Sequence, residues 1–210
     1  MPDRRLWDIT QPIRTGIPVW PGDTAYQEQR TWAIGPDCPV NVSRLTLSSH
    51  TGTHADAPLH YQSGGAAAAG LDLSRYIGPA LLLHLPPGLA AVEAAHLRGR
   101  VPAGTQRLLL RTYARFPHEA WDPGFTAMTA AAIDWLAGQG VALIGVDAPS
   151  LDPQESKSLE AHHAVCRHGM GILEGLVLDG VPEGWYELIA LPLALATADA
   201  APVRAVLRAL

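Results

Sequence analysis

Residues 50–60, His-Thr-Gly-Thr-His-Ala-Asp-Ala-Pro-Leu-His, put three imidazoles and a carboxylate within eleven positions. Imidazole nitrogens and carboxylate oxygens are the ligands that zinc and related divalent ions take, so metal chemistry is the first reading of this stretch. It is not the helical H-E-x-x-H motif, because Thr51 stands where that motif has its general-base Glu. Gly52, the β-branched Thr51 and Thr53, and Pro58 also disfavour a helix here. In an extended chain, residues of equal parity share a face. His50, His54 and Asp56 are therefore expected on one side, with Pro58 bending the path before His60 arrives. The plainer alternative, separate histidines bonded to backbone, accounts less well for four metal-competent groups of consistent parity.

A second stretch carries further ligands. Residues 158–169 read as a three-turn helix, with Ser158 as N-cap and Gly169 as C-cap. His162, Cys166 and Gly169 then share a face and His163 looks sideways, although periodicity alone does not choose between the two histidines. Beyond the Gly, Glu174 is embedded in the apolar run 172–178. A carboxylate there is costly to bury unless paired or bound to metal, so Glu174 competes for a place in the site, against the alternative of a strand-edge residue facing water.

The elements that must position these groups are legible in outline. Residues 6–20 suggest a brief strand and an ordered loop ending at the Pro21-Gly22-Asp23 turn, with Trp20 either a core plug or one wall of a substrate pocket. Residues 42–49 alternate as a half-buried strand whose even face would run on into His50. The Ala-rich segment after Gly64-Gly65, ending at Gly70, reads as a mobile loop beside the site. Residues 80–85 and 107–113 read as strands, 90–98 as a helix, 186–191 as a late strand and 202–210 as a short terminal helix. Helix 126–137 followed by the apolar strand 141–146 makes a βαβ crossover and an α/β fold class. Asp147 lies at the C-terminal end of that strand, as a ligand-site residue or as a turn former.

Composition sets the frame. A chain of 210 residues without an internal linker is expected to fold as a single domain over 1–210. The net charge of −5 comes without acidic or basic blocks, which gives no footing to nucleic acid or anionic membrane as partner. Spanning segments and a signal-peptide core are absent from the sequence, so the expectation is a cytoplasmic enzyme. Cys38 and Cys166 are too few for a disulfide framework and read as packing residues.

Three histidines and two carboxylates, with His60 kept back, exceed what one tetrahedral zinc needs. Two metals sharing a carboxylate would use the set economically, with manganese a possible substitute for zinc. Such a pair hydrolyses carbonyl compounds, and a spare His can carry the proton. Two other readings stay open: a related hydrolase on another amide, such as the cyclic amide of isatin, or a catalytically silent metal- or small-molecule-binding protein.

The combination of Val19-Trp-Pro-Gly-Asp23, the 50–60 stretch, Asp147-Ala-Pro-Ser-Leu-Asp152 and His162-His-Ala-Val-Cys-Arg-His-Gly-Met-Gly-Ile-Leu-Glu174 resembles the metal-dependent cyclase family, and within it the bacterial formamidases acting on N-formyl-L-kynurenine. The resemblance runs along nearly the whole chain. It implies a swivelling β/β/α fold with a mixed central sheet and flanking helices. It implies hydrolysis of N-formyl-L-kynurenine to L-kynurenine and formate in tryptophan breakdown, with two zinc ions per subunit of a homodimer. Carried over by position, His50, His54 and Asp56 would bind one zinc, and Asp56, His162 and Glu174 the second, with Asp56 and Glu174 shared. His60 would be proton donor and acceptor, and Trp20 would contact substrate. The resemblance thus prefers His162 to His163 and the pocket wall to the core plug.

Overall fold

A computed structural model describes residues 5–210; residues 1–4, where the signal-peptide expectation begins, lie outside the described part. Nine strands form one mixed, curled sheet in the order Leu6–Asp8, Val206–Ala209, Gly184–Ile189, Ile77–His84, Arg107–Arg111, Leu143–Val146, Gly171–Glu174, His54–Asp56, Ala200–Pro202. The four strands from Ile77–His84 to Gly171–Glu174 run parallel, and the flanking pairs are antiparallel. The first and last strands of the chain pair with each other, Trp7 opposite Leu207.

Central parallel strands are buried on both faces, which explains their unbroken apolar runs. Leu81, Leu83, Leu108 and Leu110 point into a layer completed by helices Ala94–Leu97, Ala130–Gly138 and Glu160–Arg167. Leu82 and Leu109 point the other way, onto Leu188 and Leu207 of the sheet's own curled edge. The expected crossover is present: helix Ala130–Gly138, N-capped by Thr129, links the parallel neighbours Arg107–Arg111 and Leu143–Val146. Among the described residues, no helix is long and apolar enough to cross a membrane.

Four expectations fail for physical reasons. Strand Val42–Thr46 is not half-buried: among the described residues it pairs only with Gln27–Trp32, in a two-stranded ribbon that leaves Leu45 and Trp32 exposed. Alternation distinguishes two faces without saying that anything covers either. The tail is strand, not helix, because Val206–Ala209 is inserted between two edge strands and pairing overrides its helix-type residues. Ser158 is not the N-cap. Leu159 precedes the helix at φ 46°, and Asp152 caps it from across the loop, accepting the Ala161 and His162 N–H groups at 2.9 and 3.0 Å.

The Ala-rich segment, finally, is strapped down rather than mobile. Ala68 and Ala69 donate backbone hydrogen bonds to Ala198 and Leu195. Gly65 lies so close to the Pro58 carbonyl that a Cβ there would sit 2.6 Å from its carbon. Low complexity conceals such ties because they are made by backbone atoms.

Candidate active site

Strand His54–Asp56 lies antiparallel to Gly171–Glu174, with His54 opposite Glu174. That register brings to one place two carboxylates more than a hundred residues apart in sequence. His54 and Asp56 do point the same way, as parity requires, but His50 does not belong to the strand. It comes from the turn over residues 49–53, where Gly52 adopts φ 70°, so the turn's geometry and not strand parity brings it to the side of His54 and Asp56. His162 arrives on helix Glu160–Arg167 with its side chain buried, whereas its neighbour His163 is exposed.

The distances sort the donor atoms into two groups. His50 Nδ1 and His54 Nε2 lie 3.2 and 3.4 Å from Asp56 Oδ1, and His54 Nε2 is 3.4 Å from Glu174 Oε2. On the other side, His162 Nε2 is 3.3 Å from Asp56 Oδ2 and 3.5 Å from Glu174 Oε1. Each carboxylate thus presents one oxygen to each group. His60 offers a further ring nitrogen within 4.8 Å of ligand atoms of Asp56 and His162.

The four innermost residues are almost sealed from solvent, with relative exposures of 2% for His54, 1% for Asp56, 1% for His162 and 2% for Glu174. Yet among the described residues His54 Nε2, both Asp56 oxygens and His162 Nε2 have no hydrogen-bond partner. Buried polar atoms are rarely left so, and orphans converging on one point fit a bound cation. The rear atoms of the rings are satisfied: His54 Nδ1 meets the Gly52 carbonyl at 2.9 Å and His162 Nδ1 meets Asp152 at 2.6 Å. Such partners fix a ligand imidazole's tautomer and leave Nε2 free for metal.

The charges are mutually dependent. Burial alone would depress His54, but the Asp56 and Glu174 carboxylates outweigh it and push the pKa up to about 10. Burial likewise opposes the charged form of His162, yet Asp152 and Asp56 hold it well above an ordinary imidazole. Burial would raise Asp56, and His162 with His50 and His54 instead hold it well below the carboxylate range. In the metal-free protein, protons and metal compete for the same Nε2 atoms. Because those pKa values are raised, metal affinity should increase from about pH 6 to about pH 9, with protons released on binding. Calorimetry in two buffers of different ionisation enthalpy reads the proton count directly, and a pH-independent affinity would contradict the competition.

A cavity of about 370 Å³ opens over these groups, lined by His50, His54, His60, His162 and Glu174 on its floor and by Trp20, Phe116 and Trp121 on its walls. Trp20 stands edge-on to Trp121, ring centroids 5.3 Å apart, so it is a cavity wall that also packs against the core. The volume and aromatic lining suit a single flat ring. Asp147 also borders the cavity, but its oxygens are occupied by the Thr112 N–H and hydroxyl and the Tyr113 N–H, at 2.6 to 3.0 Å.

The family model for Cyclase matches residues 7–153, well over half of the chain. The chain belongs to the cyclase family. A kynurenine formamidase of Maricaulis maris (strain MCS10) is 57% identical to it over 206 residues, covering 98% of this chain and 99% of the relative. A solved structure described as a potential metal-dependent hydrolase with cyclase activity is 30% identical, superposes with a TM-score of 0.84 and covers 98% of each chain. An isatin hydrolase bound to a product analogue, thioisatinate, shares the fold with a TM-score of 0.83, covering 98% of this chain and 92% of the other at 21% identity.

Two residues of this cyclase-family site escaped the sequence reading. Asp152 backs His162 and caps its helix, and Asp199 contacts both His50 and His60. Asp152 stands ten residues before His162 on the far side of a loop, with no periodic relation to it. Asp199 is an isolated carboxylate in an Ala-rich tail. Gly175 also matters: it adopts φ 63° and approaches the Gly52 carbonyl so closely that a Cβ would lie 2.7 Å from its oxygen. That approach, with the Thr53 hydroxyl donating to the Gly175 carbonyl at 2.6 Å, clamps the two ligand-bearing segments together.

Proposed function

We propose that the protein hydrolyses N-formyl-L-kynurenine to L-kynurenine and formate, as a step of tryptophan breakdown, using two zinc ions per subunit with manganese as a workable substitute. The observation that carries this reading is the 57% identity over 98% of the chain to a kynurenine formamidase. The paired donor groups support it. His50, His54, Asp56 and Glu174 would hold one ion, and Asp56, His162 and Glu174 the other, the two carboxylates bridging. When bound, such ions supply a nucleophilic water at neutral pH and polarise the carbonyl oxygen under attack.

The chain's own residues do the rest. Trp20 holds the aryl ring against the Trp121 wall so that the formyl group lies over the His and Asp floor. An arylamine anion is too basic to depart unprotonated, so His60, which borders the cavity, takes a proton during attack and returns it to the leaving nitrogen. Burial of the floor excludes bulk water from competing polar contacts. The same resemblance implies a homodimer, to be read as a solution mass of twice the 22.3 kDa chain.

The test is formate release from the metal-stripped protein with and without added zinc. Turnover of N-formyl-L-kynurenine should return with zinc. Its kcat/KM should exceed that for isatin by at least about 10²-fold, since a cyclic amide lacks the free formyl end and places its carbonyl differently. A preference for isatin would favour the related amide hydrolase, and no turnover of either substrate under any metal would leave a silent binding protein.

A further inference from the structure

Asp199 lies just before the edge strand Ala200–Pro202, whose Ala200 pairs with Asp56, and the Ala57 N–H donates to the Asp199 carbonyl at 2.9 Å. Its position is therefore set by the strand that carries the central carboxylate. Its side chain, 41% exposed, has three contacts. Ser49 donates its hydroxyl to Oδ1 at 2.8 Å. Oδ2 faces His50 Nε2 at 3.1 Å and His60 Nδ1 at 3.3 Å. The His50 and His60 rings lie against each other, centroids 4.3 Å apart. One carboxylate oxygen thus joins a proposed ligand to the proposed proton carrier.

We propose that Asp199 is the positioning residue for His60: its Oδ2 accepts the Nδ1–H, which fixes the tautomer and leaves Nε2 as the nitrogen that exchanges protons with substrate. This rests on the formamidase reading. An ionised carboxylate accepts hydrogen bonds and donates none, so Nδ1 must carry its hydrogen whenever this contact is made. As the C–N bond of the substrate breaks, its electron pair goes to the leaving nitrogen. The proton on Nε2 moves to that pair, and His60 becomes the neutral Nδ1–H tautomer with Asp199 still ionised. The Ser49 contact keeps the carboxylate from rotating away, and His50 Nε2–H shares the same oxygen. Without Asp199, His60 could hold its proton on either nitrogen and turn about its side-chain bonds.

Asp199→Asn keeps the shape of the side chain and is measured in the zinc-saturated protein. On N-formyl-L-kynurenine, kcat should fall about 10–100-fold with KM unchanged, the range seen when the outer partner of a site histidine is removed. On 4-nitrophenyl formate, whose phenolate leaves without a proton, the loss should be clearly smaller than on the amide, because His60 then serves only during attack. In a His60→Ala background, Asp199→Asn should add no further loss on the amide, because the two residues act as a unit. Long-range proton–nitrogen NMR, needing no substrate, should find His60 as the Nδ1–H tautomer in the wild type and not in Asp199→Asn.

Equal losses on amide and ester, no loss on either, an additive loss in the double variant or zinc missing at saturation would each overturn the proposal. So would an unchanged His60 tautomer. Wild-type protein that releases no formate from N-formyl-L-kynurenine would instead refute the formamidase reading, while the NMR result still decides the role of Asp199.

Discussion

Asp56→Asn should yield folded protein that retains neither metal and has lost at least about 10³-fold of its formamide hydrolysis, the several kcal/mol that a metal centre contributes at about 1.4 kcal/mol per decade. The reason is the division of labour between its oxygens. Oδ1 faces His50 and His54, Oδ2 faces His162, and neither has a hydrogen-bond partner among the described residues. An amide in the same place offers one neutral oxygen and points an NH₂ group at the other imidazole, so both metal positions are damaged by one substitution. A residue serving a single ion would leave the second in place. Elemental analysis of the purified variant therefore separates the cases, and one or two ions per subunit would refute the bridging role. Glu174→Gln provides an independent check, because its Oε2 and Oε1 face His54 and His162 in the same divided manner. Its loss should be milder for folding, since Oε1 also accepts the Leu151 N–H and an amide oxygen can still do so.

His60→Ala should behave in the opposite way: full metal content, little change in KM and a kcat lower by about 10²–10⁴-fold. His60 is the most exposed of the clustered histidines and is not among the four nearly sealed residues, so its loss opens no buried cavity and orphans no buried charge. What disappears is a proton at the moment the arylamine departs. A variant with wild-type kcat would show that the leaving nitrogen takes its proton from elsewhere. The two substitutions thus separate holding the metals from moving the proton, functions that the proposed reading assigns to residues 50–60 within eleven positions.

The local chemistry was legible from sequence wherever backbone periodicity or residue cost reaches only a few positions. His54 and Asp56 share a face because strands alternate, and Glu174 stands out because a carboxylate within an apolar run needs a compensating partner. The crossover around helix Ala130–Gly138 was readable because parallel neighbours require a connection of that length. His50 came out on the correct side although it lies on a turn and not on the strand. Composition misled at the Ala-rich segment and the tail, where backbone pairing decides the conformation and leaves no trace in side-chain type.

What the sequence by itself determined about this protein is the chemical inventory: imidazoles and carboxylates in a number and spacing suited to metal, on α/β elements of the expected kind, in a pattern resembling the cyclase family. The tertiary structure alone decided which of those groups meet. It set His54 opposite Glu174, turned His162 inward and His163 out, and brought Asp152 behind His162 and Asp199 beneath His60. Contacts between residues a hundred or more positions apart depend on sheet order and register, which are fixed by the burial of the whole core and cannot be read from any one stretch of chain.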